Sequence, residues 1–165
     1  MAKGLGLLLV FSCGALLGWG KARALEQRAG ELACWQEFLR QFRTVLESTR
    51  AAPGEIVRML ARQTAFAGFQ GVQALAEAFR ESGSFAYAAQ AAVGGGKRGA
   101  AEGLLLSLGD SIGVKPLEEQ LSVLESAILL LGREAELARE ESRRYGGLFR
   151  RLGLLLGLLA VVVLA

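Results

Sequence analysis

The sequence predicts an all-α fold, an antiparallel bundle of about six helices whose long first and last helices are each continuous with a terminal transmembrane helix. Three observations predict it. Both ends of the chain are apolar and uncharged, and the apolar residues between them recur at intervals of three and four. Runs of β-branched residues are confined to residues 161–163, inside the terminal apolar run. A chain of 165 residues allows one ordinary domain between the two ends.

The composition excludes several classes of enzyme. The chain has no histidine, so it has no Ser-His-Asp triad, no Cys-His dyad and no imidazole metal ligand. Its two cysteines, Cys13 and Cys34, are too few for a disulfide scaffold and favour a reducing compartment. A net charge of +3 is too small to indicate nucleic-acid binding by itself. We therefore expect no metal, no cofactor and no nucleic-acid partner.

The first apolar segment, residues 4–20, predicts an N-terminal transmembrane helix. It contains no charged residue and would be roughly 26 Å long as a helix, slightly short of a hydrocarbon core of about 30 Å. A cleaved signal peptide is the alternative, because the Ala-Arg-Ala triplet at 22–24 resembles a small-x-small cleavage site. Residues 10–14 also resemble a lipoprotein cleavage box, but Phe11 is too bulky for a good one. The charges of Lys21 and Arg23 beside the possible cleavage site at 22–24 also argue against cleavage.

The last segment, residues 148–165, predicts a C-terminal transmembrane helix. Its charge-free part, 152–165, reaches only roughly 21 Å, although arginine side chains at its start can extend towards the interface. Cations flank the inner side of both segments, and six of them form a predicted membrane-proximal basic face: Lys21, Arg23, Arg143, Arg144, Arg150 and Arg151. By the positive-inside rule, residues 21–147 are then cytosolic.

Residues 21–147 predict a helical bundle framed by two long helices. From 21 to 50 one apolar stripe recurs at intervals of three and four: Leu32, Trp35, Leu39, Phe42 and Leu46. The last helix begins at Pro116 and carries a heptad seam: Leu117, Leu121, Leu124, Ile128, Leu131, Ala135, Ala138, Ser142 and Tyr145. The simplest geometry pairs the two helices antiparallel, although the seam can also be satisfied between two chains.

Four shorter helices are predicted between the long ones, over residues 55–62, 69–81, 85–93 and 101–108. Pro53 and Gly54 are expected to end the first helix. In the 55–62 helix the predicted inward residues are Ile56, Met59 and Leu60. Gly83 suits a left-handed helix end, and the glycine-rich stretch 94–99 predicts a loop.

Three features of the middle region could take part in catalysis or ligand binding. Stretch 94–99 lacks the Ser or Thr that a phosphate-binding loop needs after its lysine, since Arg98 stands there. Asp110 and Ser111 lie between glycines but have no base in evidence. Glutamates of the last helix form possible acid–base pairs, although a solvated face explains them more simply: Glu118, Glu125, Glu136 and Glu140. A small membrane-bound hydrolase using these groups is the alternative function.

An ordered set of features carries a family resemblance. A proline turn with Glu55 precedes an apolar helix, and Leu-Gly-Asp-Ser-Ile-Gly at 108–113 precedes the long amphipathic helix, which has Gln120 near its start. That helix runs through Arg-Arg-Tyr at 143–145 and Phe-Arg-Arg-Leu-Gly at 149–153 into a Leu-rich tail. In this set the chain closely resembles the stage III sporulation protein AB family of endospore-forming bacteria over essentially its full length. It departs from the family pattern at 45–48 and 114–117.

The resemblance implies a cytosolic six-helix bundle similar to the cytoplasmic domains of the inner-membrane platform protein of type II secretion and type IV pilus systems. It also implies a place in the mother-cell membrane facing the forespore, in a secretion-like channel, beside the AA ATPase and the polytopic AC, AD and AE proteins. We expect a non-enzymatic scaffold without a small-molecule substrate. Its predicted distal partner contacts are Glu55, Asp110 and Ser111.

Overall fold

The computed structural model describes residues 2–93 and 100–164, with side chains described at 19–92, 102–148, 151, 152 and 155. Every regular element in the described ranges is a helix, so the predicted all-α class is confirmed. The described part of the chain contains six helices: α1 (Ala2–Thr49), α2 (Pro53–Ala61), α3 (Gln70–Ser82), α4 (Phe85–Val93), α5 (Ala100–Gly109) and α6 (Leu117–Leu164). The predicted loop at 94–99 lies outside the described residues.

The chain divides into two compact units. The helix-pair unit consists of Met1–Gly30 and Ala135–Ala165, which are the outer parts of α1 and α6. The bundle unit consists of Glu31–Glu134 and contains the rest of these two helices together with α2, α3, α4 and α5.

Aromatic side chains form the centre of the bundle unit. The predicted stripe of α1 is buried at all five positions, and Phe38, which lies beside it, is fully buried as well. Three ring pairs join α1 to other parts of the unit, with centroids 5.1–5.9 Å apart: Trp35 with Phe69, Phe38 with Phe66, and Phe42 with Phe85. Tilted and edge-on ring contacts of this kind add to the burial of large apolar surfaces. The rings of α1 therefore connect several parts of this core.

Helix α1 ends before the proline that was expected to end it. Its last residue is Thr49, and Arg50 follows in the left-handed region with φ of 51°. Pro53 instead occupies the first turn of α2, where a missing N–H costs nothing. A Cβ on Gly54 would clash with the ring of Phe79, so this glycine allows α2 and α3 to pack closely.

Helix α2 packs through Ile56, Val57 and Leu60, which are all buried. The prediction that Met59 faces inward is wrong, since 45% of this residue is exposed. At 100° per residue, Met59 lies on the side of the helix turned away from Val57. The inward face therefore runs through Val57 in place of Met59.

The heptad seam of α6 is largely buried, but its last member is not. Leu124, Leu131, Ala135 and Ala138 are buried, whereas Tyr145 is 45% exposed and Gly146 is buried in its place. A straight helix drifts by about 20° per heptad relative to a strict seven-residue repeat. Over the four heptads that precede Tyr145 this drift accumulates, so the residue that faces inward is the next one along the helix, Gly146. The prediction for Tyr145 is therefore wrong.

In the bundle unit, α1 and α6 run antiparallel, as predicted. The Gln36 side chain donates a hydrogen bond to the carbonyl of Ile128 at 3.3 Å, and Arg43 pairs with Glu125 at 3.5 Å. Moving forward along α1 thus corresponds to moving backward along α6. Because Leu124 and Leu131 are fully buried in a single chain, this part of the seam is satisfied within the chain.

The predicted transmembrane segments, 4–20 and 148–165, lie in α1 and α6, but most of their side chains are outside the described residues. Among the described residues, no helix contains an apolar stretch long enough to cross a membrane. The all-helical fold is thus confirmed without support for the two terminal transmembrane helices, which stay predictions.

Candidate interaction surfaces

The six predicted membrane-proximal cations all belong to the helix-pair unit. Lys21 and Arg23 are exposed on α1, and Arg143, Arg144 and Arg151 are exposed on α6. The side chain of Arg150 lies outside the described residues. The structure therefore brings the predicted basic residues into one unit and leaves the described ones accessible to solvent.

Small side chains fill the buried side of the helix-pair unit. Among its residues with described side chains (19–30, 135–148, 151, 152 and 155), the buried ones have a side chain no larger than a methyl group: Ala22, Ala29, Ala135, Ala138 and Gly146. A Cβ built on Gly146 would lie 4.0 Å from the Cβ of Ala22, so the two helices approach closely at this level. Small side chains bury little apolar area and contribute correspondingly little stability.

Large apolar side chains of the same unit lie on the outside. Tyr145, Leu148, Leu152 and Leu155, at intervals of three and four, share one side of α6 and are all exposed. We name these four residues the outer apolar face. Trp19 of α1 is also exposed, at 62%. An exposed apolar surface of this kind, next to cations, marks a place where a protein or a lipid binds.

The three predicted distal contact residues differ in exposure. Glu55 lies in the first turn of α2 and is exposed, as is Asp110 at the end of α5. Ser111 is only 4% exposed, and its carbonyl accepts a hydrogen bond from the amide of Lys115 at 3.1 Å. Ser111 therefore holds the turn before α6, while Glu55 and Asp110 are the members of the set that a partner can reach.

The turn before α6 is held by Gln120, whose structural role the sequence did not reveal. Its side-chain carbonyl accepts a hydrogen bond from the amide of Gly113 at 3.3 Å, and its amide group donates to the carbonyl of Lys115. Gly113 has φ of 83° and its Cβ position lies 3.6 Å from the ring of Pro53. The turn with Asp110 and the start of α2 with Glu55 thus meet at one end of the bundle unit.

The glutamates weighed as acid–base pairs are solvated. Glu118, Glu125, Glu136 and Glu140 are all exposed, so none of them lies in the solvent-shielded environment that is typical of a catalytic carboxyl. In the described part of the chain no group of acidic or cysteine residues is arranged to hold a metal ion. Burial raises the pKa of the Cys34 thiol, and the nearby Glu37 carboxylate raises it further, which keeps the sulfur protonated and unreactive.

A pocket that the sequence did not predict lies between α2 and α3. It has a volume of about 180 Å³ and is lined by three arginines, one glutamate, one glutamine and two alanines: Arg58, Arg62, Arg80, Glu77, Gln73, Ala61 and Ala76. The three arginines are exposed. Only the four-residue spacing of Arg58 and Arg62 was visible in the sequence, because Arg80 joins them through the packing of α3 on α2.

One comparison with known proteins identifies the family to which the chain is related. The family model described as stage III sporulation protein AB matches residues 3–165, which is essentially the whole chain. Neither a curated protein nor a solved structure matches the sequence. The resemblance drawn from the ordered sequence features is therefore confirmed by the family match alone.

Proposed function

The chain belongs to the stage III sporulation protein AB family, and on this premise we propose that it is a non-enzymatic scaffold subunit of a secretion-like channel between mother cell and forespore. Membership of the family implies a role in sporulation. The proposal adds that the helix-pair unit anchors the protein in the mother-cell membrane, that the bundle unit is cytosolic, and that both units bind other proteins.

The outer apolar face is the observation that carries the proposal. Four large side chains of α6 are exposed together, and the exposed cations Arg144 and Arg151 each immediately precede a member of the face. Arginine stems can lie along an apolar surface while their charged ends reach the headgroups, and Trp and Tyr are enriched at the same depth. The exposed Trp19 and Tyr145 fit this arrangement.

A scaffold acts by presenting surfaces, so its partners supply the chemistry. The proposed partners are the AA ATPase, which supplies the free energy of transport, and the polytopic AC, AD and AE proteins, which share the membrane. Exposed Glu55 and Asp110, which lie at one end of the bundle unit, are the proposed contacts away from the membrane. The solvated glutamates of α6 support a role without catalysis.

Replacement of two leucines of the outer apolar face tests the anchoring role. Leu148→Gln with Leu152→Gln removes about 1.5 kcal/mol or more of apolar burial at each position, which lowers membrane partition about a hundredfold or more. We expect the full-length chain to move from the membrane to the soluble fraction of sporulating cells, with a parallel loss of heat-resistant spores.

The matched control is Leu129→Gln with Leu130→Gln, since these leucines are also exposed on α6 but belong to the bundle unit. The control should leave the chain in the membrane fraction. If both double variants fractionate like the parent and form normal spores, the outer apolar face is not the anchor.

A further inference from the structure

The pocket between α2 and α3 has walls that are held in place by hydrogen bonds. The side-chain amide of Gln73 on α3 donates to the carbonyl of Ala61 at 2.8 Å and to that of Phe66 at 3.1 Å. On the opposite wall, Nε of Arg58 donates to the carbonyl of Gly54 at 3.2 Å. The pocket is a solvent-open depression on the bundle unit, with Ala61 and Ala76 as its small apolar lining.

The charge in the pocket is unbalanced. Arg58, Arg62 and Arg80 face a single carboxylate, Glu77. None of these four side chains forms an ion pair within the described ranges 19–92 and 102–148. Elsewhere in the described part of the unit, Arg43 and Lys115 have acidic partners, whereas Arg40, Arg50 and Arg133 form no ion pair. The pocket thus holds three arginines and one carboxylate, and none of the four is ion-paired to a described residue.

The arginines are arranged along a groove and do not surround one point. Arg58 and Arg62 are one turn apart on α2, about 6 Å along the axis, and Arg80 lies on the opposite wall. Guanidinium groups bind carboxylates through paired hydrogen bonds. Several carboxylates spaced along a peptide can each meet an arginine, whereas a compact phosphate would concentrate its negative charge in the pocket that also holds Glu77.

We propose that this arginine pocket binds an acidic segment of a protein partner, with carboxylates of that segment paired to Arg58, Arg62 and Arg80. The neighbouring Met59, exposed on α2, supplies an apolar contact at the rim, and both Met and Arg are enriched in protein interfaces. The site is separate from the outer apolar face and from Asp110. It does not depend on membrane anchoring or on the channel assignment.

Binding of a labelled hexaglutamate peptide to the full-length chain in detergent tests the proposal by fluorescence anisotropy. Arg62→Gln with Arg80→Gln should weaken binding about tenfold, since each exposed ion pair contributes modestly. The side chains of these two arginines make no hydrogen bond or ion pair to the described residues, so the fold should be kept, which circular dichroism checks. Glu77→Gln should strengthen binding about threefold, because it removes the carboxylate that repels the peptide.

The control is Arg28→Gln with Arg133→Gln, which removes two exposed arginines outside the pocket and should change the affinity less than about twofold. An equal loss in the control, or no gain with Glu77→Gln, would overturn the proposal because binding would then follow net charge alone. Sodium phosphate should displace the peptide no better than sodium chloride of equal ionic strength. Stronger displacement by phosphate would assign the pocket to phosphate and overturn the acidic segment.

Discussion

The two units of the chain differ in the size of the side chains that they bury. In the bundle unit the aromatic rings of α1 are buried, although several large apolar side chains of the unit, among them Tyr87, Val114 and Leu129, are exposed. In the helix-pair unit alanines and a glycine are buried, while leucines, Trp19 and Tyr145 are exposed. The bundle unit is thus organised around large buried side chains, whereas the described part of the helix-pair unit buries only small ones.

Truncation of one buried ring in the bundle unit should have the largest effect on the free energy of unfolding. Phe38→Ala empties the centre of the bundle unit, where the ring is fully buried and contacts Phe66. We expect the free energy of unfolding to fall by about 3–5 kcal/mol, measured by denaturant unfolding of the full-length chain in detergent. The control Tyr87→Ala changes an exposed ring and should stay within about 0.5 kcal/mol of the parent. Equal losses in the two variants would show that this core does not hold the unit together.

Two glycine substitutions in α5 should change the unfolding free energy by smaller amounts. A Cβ on Gly109 would lie 2.7 Å from the Cα of Ala86, so Gly109→Ala forces the backbones of α4 and α5 apart. We expect a loss of about 1–3 kcal/mol in unfolding free energy. Gly103→Ala meets no atom within 4 Å and should stabilise the helix by about 0.5–1 kcal/mol. The same sign for both substitutions would contradict the close approach at Gly109.

The sequence predicted most of the fold because the helical periodicity is strong where the helices are buried. The stripe of α1 and the middle of the α6 seam are buried as predicted, since the spacing of large apolar residues alone selects one face. The errors at Met59 and Tyr145 have geometric causes. A short helix offers too few positions to define its inward face, and a strict heptad drifts away from the inward side of a straight helix.

The candidate sites were harder to predict because they depend on packing between helices. The basic residues of the helix-pair unit could be found from their positions beside apolar segments. Gln120 could be noticed in the sequence, but its two hydrogen bonds across the turn at Gly113 depend on the folded backbone. The arginine pocket combines Arg58 and Arg62 with Arg80 from a separate helix. Spacing along one helix could not reveal it.

We propose that the helix-pair unit serves sporulation through its exposed surface, and that its own packing contributes little to the free energy of unfolding. The measurement that tests it most directly is the count of heat-resistant spores in a host carrying Arg143→Glu with Arg144→Glu, taken together with the unfolding free energy of that variant. Both arginines are exposed, so the unfolding free energy should stay within about 0.5 kcal/mol of the parent. We expect few heat-resistant spores from this variant despite its normal stability. A normal spore count would contradict it.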